Sequence, residues 1–227
     1  MAAFSAVQHR HFTTRSLHDI DLLSIAVGFG VLLISLTIHE AAHAWTADRL
    51  GDRTARALGR VSLNPLAHID PIGTVLLPLI AAVSHLPLIG WAKPVPVNAR
   101  NLGHPRRDFM LVAAAGPISN LLQAVVAAAL LRIVMVGGAV SAPWAMPLDV
   151  LFLAIQINLL LAFFNLIPVP PLDGGNVLLG LLPPRVATRY SQLRQYGFLV
   201  LYAMMFTGLA SAIVVPPTRA VMRILLP

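Results

Sequence analysis

The chain has 227 residues, 57% of them hydrophobic and only 11% charged, with a mean hydropathy of +0.78; this is too much apolar surface for one water-soluble domain, so the composition defines an integral membrane protein. The formal charge of +7 comes from 16 basic and 9 acidic residues, but the basic residues fall between apolar runs instead of forming one face interleaved with aromatics, which argues against a nucleic-acid partner and marks topology instead. Cysteine is absent, so disulfides and thiolate metal sites are excluded and any metal must use nitrogen and oxygen ligands.

Residues 1–21 are polar and lack the apolar core of a cleavable signal peptide. They read as a tail in which His9, His11 and His18 are solvated. A single domain is expected over residues 22–215, with a second tail at 216–227. Four runs, 22–47, 109–136, 148–167 and 198–215, are long enough to cross a bilayer as helices. The expected fold is an all-α polytopic membrane protein of about four transmembrane helices, with a re-entrant apolar segment and a small membrane-associated β element.

The first run ends in LTIHEAAHAW, which holds Glu40, the only glutamate of the chain. An acid at the centre of a membrane helix costs about 2.5 to 3.5 kcal/mol on insertion scales. Its neighbours explain what offsets that cost. His39 and His43 are four residues apart, so their imidazoles share one helix face and can grip one metal ion. Glu40 is offset around the helix and can reach a water on that metal, giving a zinc-activated water as nucleophile with Glu40 as general base. A rise of 1.5 Å per residue sets the site roughly 8 to 14 Å below the charged helix end at Asp48, inside the bilayer.

A catalytic zinc normally takes three protein ligands and a water. No second glutamate exists to be the third, and Thr46 and Arg49 occupy the positions where a longer HExxHxxGxxH motif needs glycine and histidine. A histidine or aspartate elsewhere must serve. The strongest candidate is Asp173 in FFNLIPVPPLDGG, where Pro168, Pro170 and Pro171 unwind the end of a helix. Irregular backbone at membrane depth needs a protein-lined cavity, and an aspartate there is costly unless it is paired or bound to metal. The bland alternative is a capping aspartate in a turn. His68 is read as structural, and His85 and His104 are further from metal contact still.

Together the two segments resemble the site-2 protease family of zinc intramembrane proteases, peptidase family M50, whose signature is HExxH on one transmembrane helix and N-x-x-P-x-P-x-x-D-G after another. His39, Glu40 and His43 match the first, and Asn165, Pro168, Pro170, Asp173 and Gly174 the second; GRVSLNP and AAGPISN follow in family order. The resemblance is to the short form without a PDZ domain. It implies one zinc per chain on His39, His43 and Asp173, with Glu40 as catalytic base and acid. It implies a transmembrane protein as substrate, held by Asn165 and more weakly by Asn120. It further implies a multi-pass protein of a prokaryotic cell membrane. Two readings from other classes remain: a divalent-metal transporter, which would spread acids and histidines along its helices, and an inactive scaffold of the same fold, in which a base beside the metal would have no use.

Arg49, Arg53, Arg56 and Arg60 place the end of the first helix, and so the site, nearer the cytoplasmic face. Asp173 reaches the same depth only if the third run also points that way and the second points back. Both ends of the apolar 71–91 run then lie on one side, so it is expected to be a re-entrant hairpin. Beyond it, Pro94, Val95, Pro96 and Val97 alternate in a pattern suited to an edge strand, which could hold unwound substrate by strand addition.

Overall fold

The computed structural model describes residues 22–76, 80, 92–136 and 145–226. Among the described residues, three helices are long and apolar enough to cross a membrane: α1 (Leu22–Arg49), α3 (Pro105–Val136) and α4 (Ala145–Asn165). The short helix α2 (Thr54–Ala57) follows α1. Four further α-helices follow among the described residues: α5 (Asp173–Leu181), α6 (Pro184–Gln192), α7 (Gly197–Phe206) and α8 (Leu209–Leu225).

The side chains that meet across the helices give their directions. His39 of α1 meets Asn120 of α3, and His43 meets Val112. Partner numbers fall as those of α1 rise, so α3 runs antiparallel to α1. Ser35 of α1 meets Asn158 of α4, and the chain leaving α4 reaches Asp173 beside His39 and His43, so α4 runs with α1. The C-terminal ends of α1 and α4 and the N-terminal half of α3 therefore share one end of the bundle.

Small residues make this close packing possible. Ala124, Ala127 and Ala128 of α3 are buried against Leu148, Ile155 and Leu159 of α4. Lipid tails are as apolar as leucine, so membrane helices gain from close backbone approach and dispersion instead of from expelling water. Leu122, Val126 and Ile133 of α3 are exposed, as lipid-facing positions should be. A second cluster joins Ile167 and Leu172 of the proline-rich loop to Leu201 and Met204 of α7 and Ala210 and Val214 of α8.

The fourth expected run, 198–215, is not one straight helix. It breaks at Thr207 and Gly208, where Gly208 takes φ +76°, a left-handed conformation that only glycine adopts freely. The segments on either side, Pro184–Phe206 and Leu209–Leu225, are bent by 72° and count as one span only if taken together. Helix α8 runs on through Pro216 and Pro217, and Val221, Met222 and Leu225 pack against the α3–α4 core. Apolar packing thus extends past the Val215 boundary expected from the sequence.

The expected β element at Pro94–Val97 is corrected. There is no strand among the described residues, and residues 92–98 have irregular backbone. Proline at 94 and 96 removes alternate donors. Two of the donors that remain turn to side chains: the Val95 N–H to Glu40 and the Asn98 N–H to Asp52. Among the described residues no second strand pairs with them. Of the expected hairpin at 71–91, Pro71–Leu76 forms a π-helical turn, and residues 77–79 and 81–91 lie outside the described residues.

Candidate active site

Helix α1 presents both histidines inward. His39 and His43 are buried, and their Nε2 atoms are 3.1 Å apart. Asp173, the first residue of α5, brings its Oδ2 to 3.1 Å from His39 Nε2 and 3.4 Å from His43 Nε2. One ligand atom from each of the three residues falls within 4.8 Å of the others.

The remaining ring nitrogens explain why these atoms face one another. His39 Nδ1 lies 2.6 Å from Asn120 Oδ1, and His43 Nδ1 lies 2.7 Å from the Val112 carbonyl. Both partners are acceptors, so both Nδ1 atoms carry the proton and both Nε2 lone pairs point at the same space. Asp173 Oδ2 is buried with no hydrogen-bond partner. Two lone pairs and a carboxylate oxygen converging at this distance form a ready set of ligands for one cation. The donor set of two imidazoles and a carboxylate suits zinc, so the residues fit the expected metal.

A relay behind His39 holds the arrangement. Asn120 donates from Nδ2 to Asn158 Oδ1 at 2.8 Å, and Asn158 donates to Ser35 Oγ at 2.9 Å and to the Ala154 carbonyl. Asn120 was expected at the substrate; it is fully buried behind His39 instead, because its oxygen is needed as the acceptor for the ring. Gly116, one turn before it, lies against the two rings, and a Cβ there would overlap ring atoms of both His39 and His43. Ser35, Val112 and Asn158 stand outside the motifs quoted from the sequence, and Gly116 enters there only as part of AAGPISN. The signal at Gly116 is a Gly-Pro pair inside an apolar helix, where glycine marks close approach.

The site opens into a cavity of about 550 Å³ lined by His39, Glu40, His43, Asn165, Asp173 and Asn176 among apolar side chains. Pro94, Val95 and Val97 also line it, and Pro96 does not. Glu40 lies beside the imidazoles with Oε2 accepting the Val95 N–H at 3.3 Å. Asn165 donates Nδ2 to the Leu161 carbonyl one turn back, which leaves its oxygen for the cavity. His68 is elsewhere, with Nε2 on the Ser62 carbonyl at 2.8 Å, and His104 lies at the start of α3 beside Arg106. His85 is outside the described residues.

The loop carrying Asp173 fits through its glycines. A Cβ on Gly174 would overlap the backbone of Leu166 and Ile167, and one on Gly175 would strike Val169 and Pro170. These contacts fold the loop back on the end of α4 and set Asp173 under the histidines.

Two imidazoles and a carboxylate converging between membrane-spanning helices, with a glutamate alongside, are the machinery of a membrane-embedded metallopeptidase. The sequence pattern described as "Peptidase family M50" matches residues 27–208, and the chain belongs to that family. It is 42% identical over 191 residues, 83% of this chain and 84% of the relative, to "Putative zinc metalloprotease YwhC" of Bacillus subtilis (strain 168). It is 33% identical to "Putative zinc metalloprotease Rip2" of Mycolicibacterium smegmatis over 177 residues, 77% of this chain and 64% of that protein. No solved structure matches the chain significantly. The resemblance read from the two motifs is borne out at the level of family.

Proposed function

We propose that this chain is a zinc endopeptidase that hydrolyses peptide bonds in or near transmembrane segments of membrane proteins. The observation that carries the proposal is the convergence of His39, His43 and Asp173 within 4.8 Å, in a cavity that Glu40 also lines. The names of the two relatives, both zinc metalloproteases, support the choice of metal.

His39 and His43 would hold zinc through Nε2 and Asp173 through Oδ2, while Asn120 and the Val112 carbonyl keep the rings turned. Bound there, the metal would supply a Lewis acid that polarises the scissile carbonyl and acidifies water. Glu40 accepts the water's proton and returns it to the leaving amine, as a carboxylate within reach of both can. A transmembrane helix hides its peptide groups in its own hydrogen bonds, so the substrate must be unwound locally before attack. Asn165 and the 94–97 segment, both at the cavity, are suited to hold the unwound backbone. The arginines after α1 set this end of the bundle towards the cytoplasm.

The test compares membrane-derived peptides from cells expressing wild type and Glu40→Gln. Glutamine keeps the shape of glutamate and cannot accept the proton. Cleavage products present with wild type and lost with Glu40→Gln are expected; equal products from both would remove Glu40 from the mechanism.

A further inference from the structure

GRVSLNP is the one quoted family segment to which the proposed chemistry gives no task. Its arginine, Arg60, is buried, and so is Asp52 eight residues earlier, yet neither forms an ion pair among the described residues. A buried charge is costly unless hydrogen bonds satisfy it. Both are satisfied by hydrogen bonds, and each takes part of them from the backbone of residues 93–98 beside the cavity. Arg60 donates from one guanidinium nitrogen to the Ala67 carbonyl and from the other to the Lys93 and Pro94 carbonyls at 3.4 and 3.3 Å. Asp52 accepts the Asn98 N–H at 2.6 Å on one oxygen, and the Asn101 side chain and Thr54 on the other. The His68 carbonyl accepts the Lys93 N–H at 2.8 Å.

We propose that Arg60 and Asp52 are positioning residues, a two-ended clamp that fixes residues 93–98 beside Glu40 as the backbone edge on which unwound substrate is laid. The clamp takes the polar groups at the ends of the segment. Its middle is left over: among the described residues the Val95 carbonyl and the Val97 N–H and carbonyl have no partner, while Val95 and Val97 line the cavity. Val95's own N–H is committed to Glu40, which sets the distance between edge and base. The segment thus needs no neighbouring strand to hold its shape, because two side chains of the preceding loop do that work. The role assigned to the edge rests on the proteolytic reading above; the clamp itself does not.

Arg60→Lys keeps the charge, and therefore any topological role, but a single ammonium cannot fork between Ala67 and the 93–94 carbonyls. Asp52→Asn keeps the size but turns an amide N–H₂ towards donors. Amide hydrogen exchange is read by mass spectrometry on the full-length chain in detergent micelles, with zinc content measured alongside. Kinetics use a transmembrane substrate recovered from the Glu40→Gln comparison. Exchange across 93–98 should rise at least tenfold in either variant, with α1 and α3 protected and zinc retained as in wild type. The KM should rise about tenfold with kcat changed much less, the pattern of lost binding common to ground and transition states. Unchanged exchange across 93–98 in both variants would overturn the clamp. Raised exchange with unchanged kinetics would overturn the edge's part in substrate binding. Absence of any cleavage by wild type would defeat the proteolytic reading instead, and exchange would still decide the clamp.

Discussion

Each histidine of the site has two jobs for two nitrogens, and the structure divides them cleanly: Nδ1 outward to Asn120 or Val112, Nε2 inward to the shared space. Purified protein should carry one zinc per chain, lost in His43→Ala and Asp173→Ala and kept in Glu40→Gln, because only the first two remove a ligand atom. Full zinc in Asp173→Ala by elemental analysis would refute the ligand assignment. Asn120→Ala should retain the three ligands but weaken zinc affinity by about 10- to 100-fold, the usual cost of losing the group that orients a ligating histidine. Gly116→Ala tests space instead of chemistry. Its Cβ would overlap both rings, so zinc should be lost although no ligand is touched; competition titration with a chelator measures both variants. The proposed ligands were legible in the sequence because metal chemistry restricts them to few residue types at fixed spacing. Ser35, Val112 and Asn158 were not, because a backbone carbonyl and common polar side chains become partners only through the register of three packed helices.

Among the elements, the loop between α1 and the 93–98 segment is the part whose stability should respond to acid. Burial works to raise the Asp52 pKa, but the hydrogen bonds it accepts from Thr54, Asn101 and the Asn98 N–H outweigh burial and hold it below the usual carboxylate range. A carboxylate with a depressed folded pKa stabilises the protein above its unfolded value, near 3.9, and loses that contribution as pH falls through the folded value. The melting temperature of wild type should therefore fall on acidification below about pH 4, and fall less in Asp52→Asn, where the titrating group is gone. Equal acid sensitivity in the two proteins would show that other carboxylates account for it. The same segment shows where sequence patterning misleads. Alternating proline and valine suits an edge strand, but a strand needs a partner, and here Glu40 takes the Val95 N–H and Asp52 the Asn98 N–H.

For the whole molecule, the directions of α1, α3 and α4 agree with those required by bringing two distant motifs to one depth. The break at Gly208 does not follow from hydropathy, since an apolar run gives no sign of one residue at positive φ. The chain has no cysteine, so single cysteines can report sidedness without a background. Cysteines placed near Arg60 and near Arg100 should both react with an impermeant maleimide from the cytoplasmic side, as the arginine-rich flanks of α1 and α3 require. Labelling from opposite faces would mean that the intervening 71–91 run crosses the bilayer.

The size of the cavity bears on how much of a substrate is disturbed. A helix with its side chains is about 10 Å across and rises 1.5 Å per residue, so each residue fills roughly 120 Å³. A space of about 550 Å³ is on the scale of one helical turn, a small part of a span of about 20 residues. On the proposed cleavage of transmembrane segments, only the few backbone hydrogen bonds of that turn would have to be surrendered, and most of the substrate would stay helical and in lipid. Sequences whose helix is already weak over a single turn, through glycine, asparagine or proline, should then be favoured over longer or more hydrophobic spans.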